Sequence, residues 1–121
     1  MVHKVLIVDD EPNIVISLEF LLKKEGFEVA VAADGEEALA KVAAFAPAIV
    51  LLDVMMPKKS GYEVCQQLKA DPATAGVKVV MLTAKGRESE VAKGLALGAD
   101  AYVTKPFSTK DLVARVKGLL P

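Results

Sequence analysis

Short apolar segments alternate with amphipathic segments along the whole of this chain. Five segments rich in β-branched residues have the length and composition of buried strands. The segments between and after them repeat apolar residues every three or four positions, as helices with one buried face do. The predicted strands are Lys4–Asp9, Glu28–Ala32, Ala48–Asp53, Val77–Thr83 and Ala101–Lys105. The pattern therefore predicts five strands and five helices in strict alternation.

Capping residues indicate where three of the five helices begin. Asp34, Ser60 and Ser108 each stand just before a predicted helix, and their side chains can accept a hydrogen bond from the first helical turn. The first helix is predicted over Pro12–Glu25 and the fourth over about Arg87–Leu97, and each is followed by a glycine that can end it.

The strands indicate how these elements are arranged. Strict alternation of strand and helix is typical of a parallel sheet built from βαβ units. The runs "VLIV", "IVLL" and "VVML" are continuously apolar, as strands covered on both faces are, whereas "EVAVA" and "AYV" are weaker and suit the sheet edges. The prediction is an α/β fold, a doubly wound (βα)5 three-layer sandwich with a five-stranded parallel sheet in the flavodoxin-like order 2-1-3-4-5.

Composition and charge narrow the class of protein. The 121 residues are 53% hydrophobic and 26% charged, which predicts one globular domain over residues 1–121. A net charge of −1 provides no basic surface for nucleic acid, and no apolar run approaches the ~20 residues that cross a membrane. One cysteine, Cys65, excludes an internal disulfide, and it is expected to be a small core residue. A cytoplasmic location is the expectation.

Polar side chains stand where four of the predicted strands end. Asp9 and Asp10 follow the first apolar run, Asp53 ends the third, Thr83 the fourth and Lys105 the fifth. In sheets of this kind, ligands bind outside the carboxyl ends of the strands. The five residues are therefore the candidate functional residues.

Each of these side chains also has a structural explanation when taken alone. Asp10 can cap the first helix, Asp53 can begin a turn, Thr83 can be an ordinary hydroxyl and Lys105 a solvated charge. Together they bring three carboxylates to one edge, where they cannot all stay ionised without a counter-charge. Protonation would relieve the repulsion, but Mg²⁺ matches the oxygen ligands better. Because consecutive strand residues point to opposite faces, Asp9 and Asp10 should not be equivalent.

The remaining groups at this edge suit a phosphoryl group. Lys105 supplies a cation and Thr83 a hydroxyl donor, and Ala84 beside it leaves room. The single histidine, His3, lies at the far end of the first strand, so a histidine-based relay is not available. Asp53 remains as a nucleophile, and it could form an aspartyl phosphate.

Four stretches of the sequence together resemble one family. They are "VLIVDDEP", "IVLLDVMMPKKSGYE", "VVMLTAK" and "GADAYVTKPF". In this order and at these intervals they resemble the receiver domains of two-component response regulators, which have the CheY-like fold. The resemblance covers the whole chain.

The resemblance implies a metal site and a phosphoacceptor. Asp53 would accept a phosphoryl group from a histidine kinase or a histidine phosphotransfer protein. Asp10, Asp53 and the backbone carbonyl of Met55 would bind Mg²⁺, for which Mn²⁺ can substitute, and Asp9 would act through water. The chain would then be a signalling switch rather than an enzyme, although it assists its own phosphorylation and dephosphorylation.

The resemblance also implies residues that respond to the phosphoryl group. Lys105 would pair with its oxygens, and Thr83 would rotate inward to bond one of them. Tyr102 resembles the switch aromatic that follows Thr83 inward; the alternative is an ordinary half-buried strand tyrosine. The Lys105–Pro106 peptide bond would be cis.

Output is expected through the fourth helix, fifth strand and fifth helix, which would contact an output partner or a second copy in a homodimer. In the receiver domains that this chain resembles, an acidic residue is often found at the position of Ala101. Alanine removes a possible ion pair across a dimer, which weakens the expectation of a dimer. The alternative is a solvated helix face. No direct nucleic-acid binding by this domain and no membrane contact are expected. The charges on this surface are Lys93, Asp100, Lys110, Arg115 and Lys117.

Three other classes of protein compete with this interpretation. A Mg²⁺-dependent phosphohydrolase with an aspartate nucleophile would resemble a D-x-D pattern, and Asp53–Val54–Met55 lacks the second acid. A flavin- or nucleotide-binding domain would need a glycine-rich loop after the first strand, where the sequence reads "DDEPN". A scaffold that kept only the shape would not need the acid, threonine and lysine set.

Overall fold

A five-stranded parallel sheet lies at the centre of the structure, a computed structural model that describes residues 3–54, 60–84, 88–105 and 107–120. The strand order is β2-β1-β3-β4-β5, as predicted, and every neighbouring pair is parallel. The strands are β1 (Lys4–Val8), β2 (Glu28–Ala32), β3 (Ile49–Asp53), β4 (Lys78–Ala84) and β5 (Ala101–Lys105). The helices are α1 (Pro12–Lys24), α2 (Gly35–Phe45), α3 (Gly61–Ala70), α4 (Glu88–Ala96) and α5 (Thr109–Leu119).

Two apolar clusters cover the two faces of the sheet. Alternate residues of each central strand point to opposite faces, so Val5 and Ile7 join one cluster and Leu6 and Val8 the other. The first cluster packs against α1 and α5, and the second against α2, α3 and α4. Cys65 is fully buried in the second cluster, as expected of a small core residue. The predicted three-layer sandwich is therefore confirmed.

The predicted helix starts are confirmed by cap hydrogen bonds. The side chains of Asp34, Ser60 and Ser108 accept from the backbone N–H three residues on, at 2.8, 3.3 and 3.4 Å. Strand and helix bounds agree with prediction to within one residue, and Arg87, the predicted start of α4, lies outside the described residues. None of the helices in the described ranges is long and apolar enough to cross a membrane.

The start of α3 packs directly on the end of β3. The backbone N–H of Gly61 donates to the Val54 carbonyl at 2.9 Å. A Cβ atom on Gly61 would meet the carbonyl oxygen of Asp53 and would lie 3.0 Å from the Cα of Val54. Because both neighbours are backbone, they cannot move aside as a side chain would. The absence of a side chain at Gly61 therefore sets how closely α3 approaches Asp53.

We predict that Gly61→Ala lowers the free energy of unfolding by about 1–3 kcal/mol, because the methyl group forces α3 and β3 apart. Urea denaturation followed by circular dichroism measures the change. Gly118→Ala in α5 is the control, because no described atom lies within 4 Å of its Cβ position. There, replacing glycine within a helix should raise stability by up to about 1 kcal/mol. Equal effects of the two substitutions would contradict the close-packing explanation.

Candidate functional site

The carboxyl ends of the strands bring the predicted site residues to one edge of the sheet. Asp9 follows β1, Asp53 is the last residue of β3, and Lys105 is the last residue of β5. Thr83 lies on β4, between β3 and β5. The register pairs Thr83 with Thr104 and Ala84 with Lys105, so both strands end at the same level.

Three carboxylates converge at this edge. Asp9, Asp10 and Asp53 each place one oxygen within 4.8 Å of the others. Asp9 is 1% exposed and Asp53 is 6% exposed, whereas Asp10 is exposed, so the two consecutive acids are not equivalent, as predicted. The described residues thus hold two buried negative charges and a solvated one in a space that favours a counter-charge.

Lys105 supplies the counter-charge in this structure. Its Nζ lies 2.9 Å from Asp9 Oδ2, 3.3 Å from Glu11 Oε1 and 3.4 Å from Asp53 Oδ1. The contact with Asp9 is an ion pair rather than an aligned hydrogen bond, since Asp9 Oδ2 has no hydrogen-bond partner among the described residues. Lys105 is therefore not the solvated charge of the alternative explanation, because its side chain is only 18% exposed.

The environment of Lys105 keeps its ammonium charged. Burial lowers the pKa of Lys105, but the contact with Asp9 and the charge of Asp53 outweigh burial, so the pKa is raised above the ordinary value. A raised pKa in the fold means that the contribution of Lys105 to stability is complete below about pH 10.4, the value for a free lysine, and is lost as the pH rises through the higher pKa. At neutral pH the counter-charge is therefore in place.

Thr83 contributes a buried hydroxyl to the same edge. Its side chain is 1% exposed, and Oγ1 has no hydrogen-bond partner among the described residues. A buried polar atom without a partner is uncommon and costs about 1–3 kcal/mol. The hydroxyl is therefore available to a group that enters the site.

The donor set fits a hard divalent cation. Three carboxylate oxygens within 4.8 Å are the ligand type that Mg²⁺ prefers, and Asp10 is exposed, so that water can supply further ligands. Met55, whose carbonyl was predicted as a further ligand, lies outside the described residues. Pro106 also lies outside them, as does the side chain of Ala84, so the predicted cis bond and the predicted space beside Thr83 stay predictions.

Asp10 does not cap α1, so this alternative explanation of its position is wrong. The cap residue is Glu11, and its side chain makes no cap hydrogen bond. The backbone N–H of Glu11 instead donates to Asp9 Oδ1 at 2.9 Å, which fixes the turn that follows β1. Sequence reasoning assigned no role to the side chain of Glu11 or to Gly61. The signals that could have found them are the position of Glu11 beside the acid pair and a glycine at the first helical position of α3.

Two of the charges predicted for the output surface form ion pairs within the chain. Asp100 lies 2.9 Å from Lys69 Nζ and also accepts the Val79 N–H. Lys117 lies 2.7 Å from Glu25, whose pKa it lowers through their hydrogen bond and its charge. Lys117 therefore joins α5 to the end of α1 and does not simply face solvent.

Two other charges of that surface lie over aromatic rings. Lys93 Nζ is 4.4 Å from the ring centroid of Tyr62, which joins α4 to α3. The guanidinium of Arg115 is 5.4 Å from the ring of Tyr102, which is half-buried on β5. Both distances are typical of cation–π contacts. Tyr102 lies outside the acidic edge itself, three residues before Lys105.

Comparison with known proteins agrees with this arrangement. A family model described as the response regulator receiver domain matches residues 5–117. The chain is 48% identical over 120 residues to the alkaline phosphatase synthesis transcriptional regulatory protein PhoP of Bacillus subtilis, covering 99% of this chain and 49% of that protein. The chain thus spans about half the length of this relative.

Solved structures have the same fold. A candidate response regulator from Chloroflexus aurantiacus superposes with a TM-score of 0.95 at 39% identity, over 98% of each chain. The chemotaxis response regulator CheY4 of Vibrio cholerae superposes with a TM-score of 0.92 at 32% identity, over 99% of this chain and 100% of that one. This chain belongs to the receiver domains of two-component response regulators, a family of signalling domains.

Proposed function

We propose that Asp53 is the phosphoacceptor of this domain and takes a phosphoryl group from a phosphohistidine. The donor would be a histidine kinase or a histidine phosphotransfer protein, as expected for a receiver domain. Lys105 would bind the phosphoryl oxygens, and Thr83 would donate its hydroxyl to one of them. The observation that carries the proposal is the 3.4 Å distance from Lys105 Nζ to Asp53 Oδ1 inside a cluster of three carboxylates.

The chemistry needs no general base. A carboxylate oxygen of Asp53 forms a bond to phosphorus while the bond from phosphorus to the histidine nitrogen breaks, and the imidazole leaves with that electron pair. A carboxylate carries no proton that must first be removed, which agrees with the position of the only histidine, His3, at the opposite edge of the sheet. Transfer of this kind depends mainly on positioning and charge stabilisation. The domain would thereby assist its own phosphorylation, and a water attacking phosphorus would restore the carboxylate.

Asp53 fits the acceptor role better than its neighbours do. It lies on β3, between β1 and β4, so acids, hydroxyl and lysine surround it from both sides. Asp9 is committed to the turn through its Oδ1 and to Lys105 through its Oδ2. Asp10 is exposed, where water competes for its carboxylate. The acceptor would be the buried acid on the middle strand, with β1 on one side of it and Thr83 of β4 on the other.

Asp9, Asp10 and Asp53 would hold Mg²⁺, or Mn²⁺ in its place, with the Met55 carbonyl as a further proposed ligand. When bound, the ion supplies positive charge that offsets the three carboxylates and favours a phosphoryl group beside them. Asp9 is proposed to act through water, because its Oδ1 already accepts a backbone N–H. The mutual proximity of the acids supports this set.

Output is proposed to run through the surface formed by α4, β5 and α5. Movement of the Thr83 hydroxyl toward a phosphoryl group would open space on β4, and Tyr102 on β5 would turn toward it as the switch aromatic. The contact between Arg115 and the Tyr102 ring would then change, which alters the charge that α5 presents. A homodimer or an output partner would read this change. The whole chain would act as a single receiver domain, without direct nucleic-acid binding of its own.

Family membership and the residues after Asp53 both argue against a phosphohydrolase. Such an enzyme would turn over a phosphate ester many times, whereas a receiver domain would keep one phosphoryl group per chain. Measuring released inorganic phosphate from p-nitrophenyl phosphate separates the two. Many turnovers per chain, lost in Asp53→Asn, would favour the hydrolase.

We predict that Mg²⁺ and acetyl phosphate add one phosphoryl group to the protein, which intact-mass spectrometry would detect. In the transfer, the Asp53 oxygen bonds to phosphorus and acetate leaves with the electron pair of the broken bond. Asp53→Asn should abolish the addition, while Glu28→Gln, at the opposite edge of the sheet, should not change it. An unmodified wild-type chain at saturating donor would contradict the proposal.

We predict that Asp10→Asn stabilises the protein without divalent cations, by about 1 kcal/mol, because it removes one of three like charges within 4.8 Å. Mg²⁺ at ten times its Kd should stabilise the wild type by about 1.4 kcal/mol, and the variant much less. Urea denaturation with and without Mg²⁺ measures both effects. Glu28→Gln is the control for the loss of one negative charge. An equal Mg²⁺ effect in wild type and Asp10→Asn would rule out Asp10 as a ligand.

A further inference from the structure

Glu11 makes a contact that the predicted motifs do not include. Its Oε1 lies 3.3 Å from Lys105 Nζ, although the two residues are 94 positions apart. Glu11 is the N-cap residue of α1, a position where a side chain commonly accepts a helix N–H, but it makes no such bond. The carboxylate of Glu11 is therefore directed to Lys105 and not to its own helix.

The three acids around Lys105 differ in how readily they can release it. An ammonium group has three N–H donors, and Asp9, Glu11 and Asp53 lie around them. The side chain of Asp9 is 0% exposed, so losing Lys105 would leave a buried charge without its counter-ion. The side chain of Glu11 is 61% exposed, so water can solvate it after release. Glu11 is the contact that Lys105 gives up at the least cost.

A phosphoryl group on Asp53 would compete for Lys105 Nζ, which already lies within 3.4 Å of three carboxylates. Its oxygens would lie beside Asp53 Oδ1, which is already 3.4 Å from Lys105 Nζ. An N–H directed to Glu11 would have to turn toward the phosphoryl oxygens. The ion pair with Glu11 is exposed and therefore holds this N–H only weakly. Dissolved salt screens the pair and weakens it further.

We infer that Glu11 is a positioning residue that holds Lys105 before phosphorylation and competes with the phosphoryl oxygens for its ammonium. This inference rests on the proposed role of Asp53 as the phosphoacceptor. When the Asp53 oxygen bonds to phosphorus and the leaving group departs with the electron pair of the broken bond, Lys105 exchanges Glu11 for a phosphoryl oxygen. Glu11 then returns to water. The strength of one exposed contact thus sets how much phosphodonor the domain needs.

The test compares four proteins: wild type, Glu11→Gln, Glu11→Asp and Glu19→Gln. Glu11→Gln removes the charge, and Glu11→Asp keeps the charge but is one methylene too short for the contact. Glu19→Gln is the matched control, because it removes one charge from the same helix, where Glu19 pairs with Lys23 at 3.2 Å. Initial phosphorylation rates are measured by intact mass over a range of acetyl phosphate concentrations, at Mg²⁺ that saturates each protein.

We expect Glu11→Gln and Glu11→Asp to lower the half-saturating acetyl phosphate concentration about two- to five-fold, the effect of one exposed ion pair, with little change in the maximal rate. Beryllofluoride, a stable analogue of the phosphoryl group, should bind both variants more tightly by a similar factor in an NMR titration. This second measurement needs no phosphoryl transfer. The differences should shrink at high ionic strength, and Glu19→Gln should match the wild type.

Three results would overturn the inference. If both Glu11 variants have the half-saturating acetyl phosphate concentration and the beryllofluoride affinity of the wild type, and Asp53 is phosphorylated normally, the inference is wrong. The proposed function would not be affected by that result. An equal shift in Glu19→Gln would show that net charge, and not the contact with Lys105, is responsible. If the wild type takes up neither phosphoryl group nor beryllofluoride, the proposed function fails and this inference fails with it.

Discussion

The acidic edge of the sheet depends on the ammonium group of Lys105. Asp9 is buried with its charge, and a buried charge without a partner costs several kcal/mol even after the protein relaxes. Neighbouring strands lie about 4.8 Å apart, so β1 and β5, three places apart in the sheet, are separated by roughly 14 Å. The contact between Lys105 and Asp9 must therefore be made over the ends of β3 and β4. The acids of β1 and β3 can lie close together only if β5 is positioned so that its lysine reaches them.

The same constraint explains why polar side chains are buried at the carboxyl ends of strands whose inner residues are apolar. The inner residues of β1, β3 and β4 are buried and apolar, and the buried acids Asp9 and Asp53 stand where β1 and β3 end. Thr83, with its buried hydroxyl, lies at this boundary. Charged groups and polar atoms without hydrogen-bond partners are buried at this edge, and burying them costs free energy. The edge is therefore less stable than the apolar parts of the sheet. Such a local conflict is typical of a site maintained for binding.

Much of this structure could be predicted from the sequence because its causes are local. Continuous apolar runs identify β1, β3 and β4, since only strands covered on both faces have such runs. Asp34, Ser60 and Ser108 mark helix starts, because a side chain there bonds the N–H three residues on. The convergence of Asp9, Asp53 and Lys105 also followed, because the ends of parallel strands share an edge.

The features that could not be predicted depend on contacts between distant parts of the chain. The direction of the Glu11 side chain is set by Lys105, 94 residues away, and not by the preference of an N-cap residue. Asp10 was given a capping alternative because of its place before Pro12, but the turn that Asp9 closes moves the cap one residue on. Lys117 was assigned to the output surface, with a solvated helix face as the alternative, and only the packing of α5 beside α1 brings it to Glu25.

The close contact between Gly61 and the backbone of Asp53 has a consequence for motion within the domain. Because the first turn of α3 touches main-chain atoms, the end of β3 has no room to retreat toward that helix. A group added to the Asp53 side chain therefore cannot be accommodated by movement of the end of β3 toward α3, and any rearrangement around it has to take another direction.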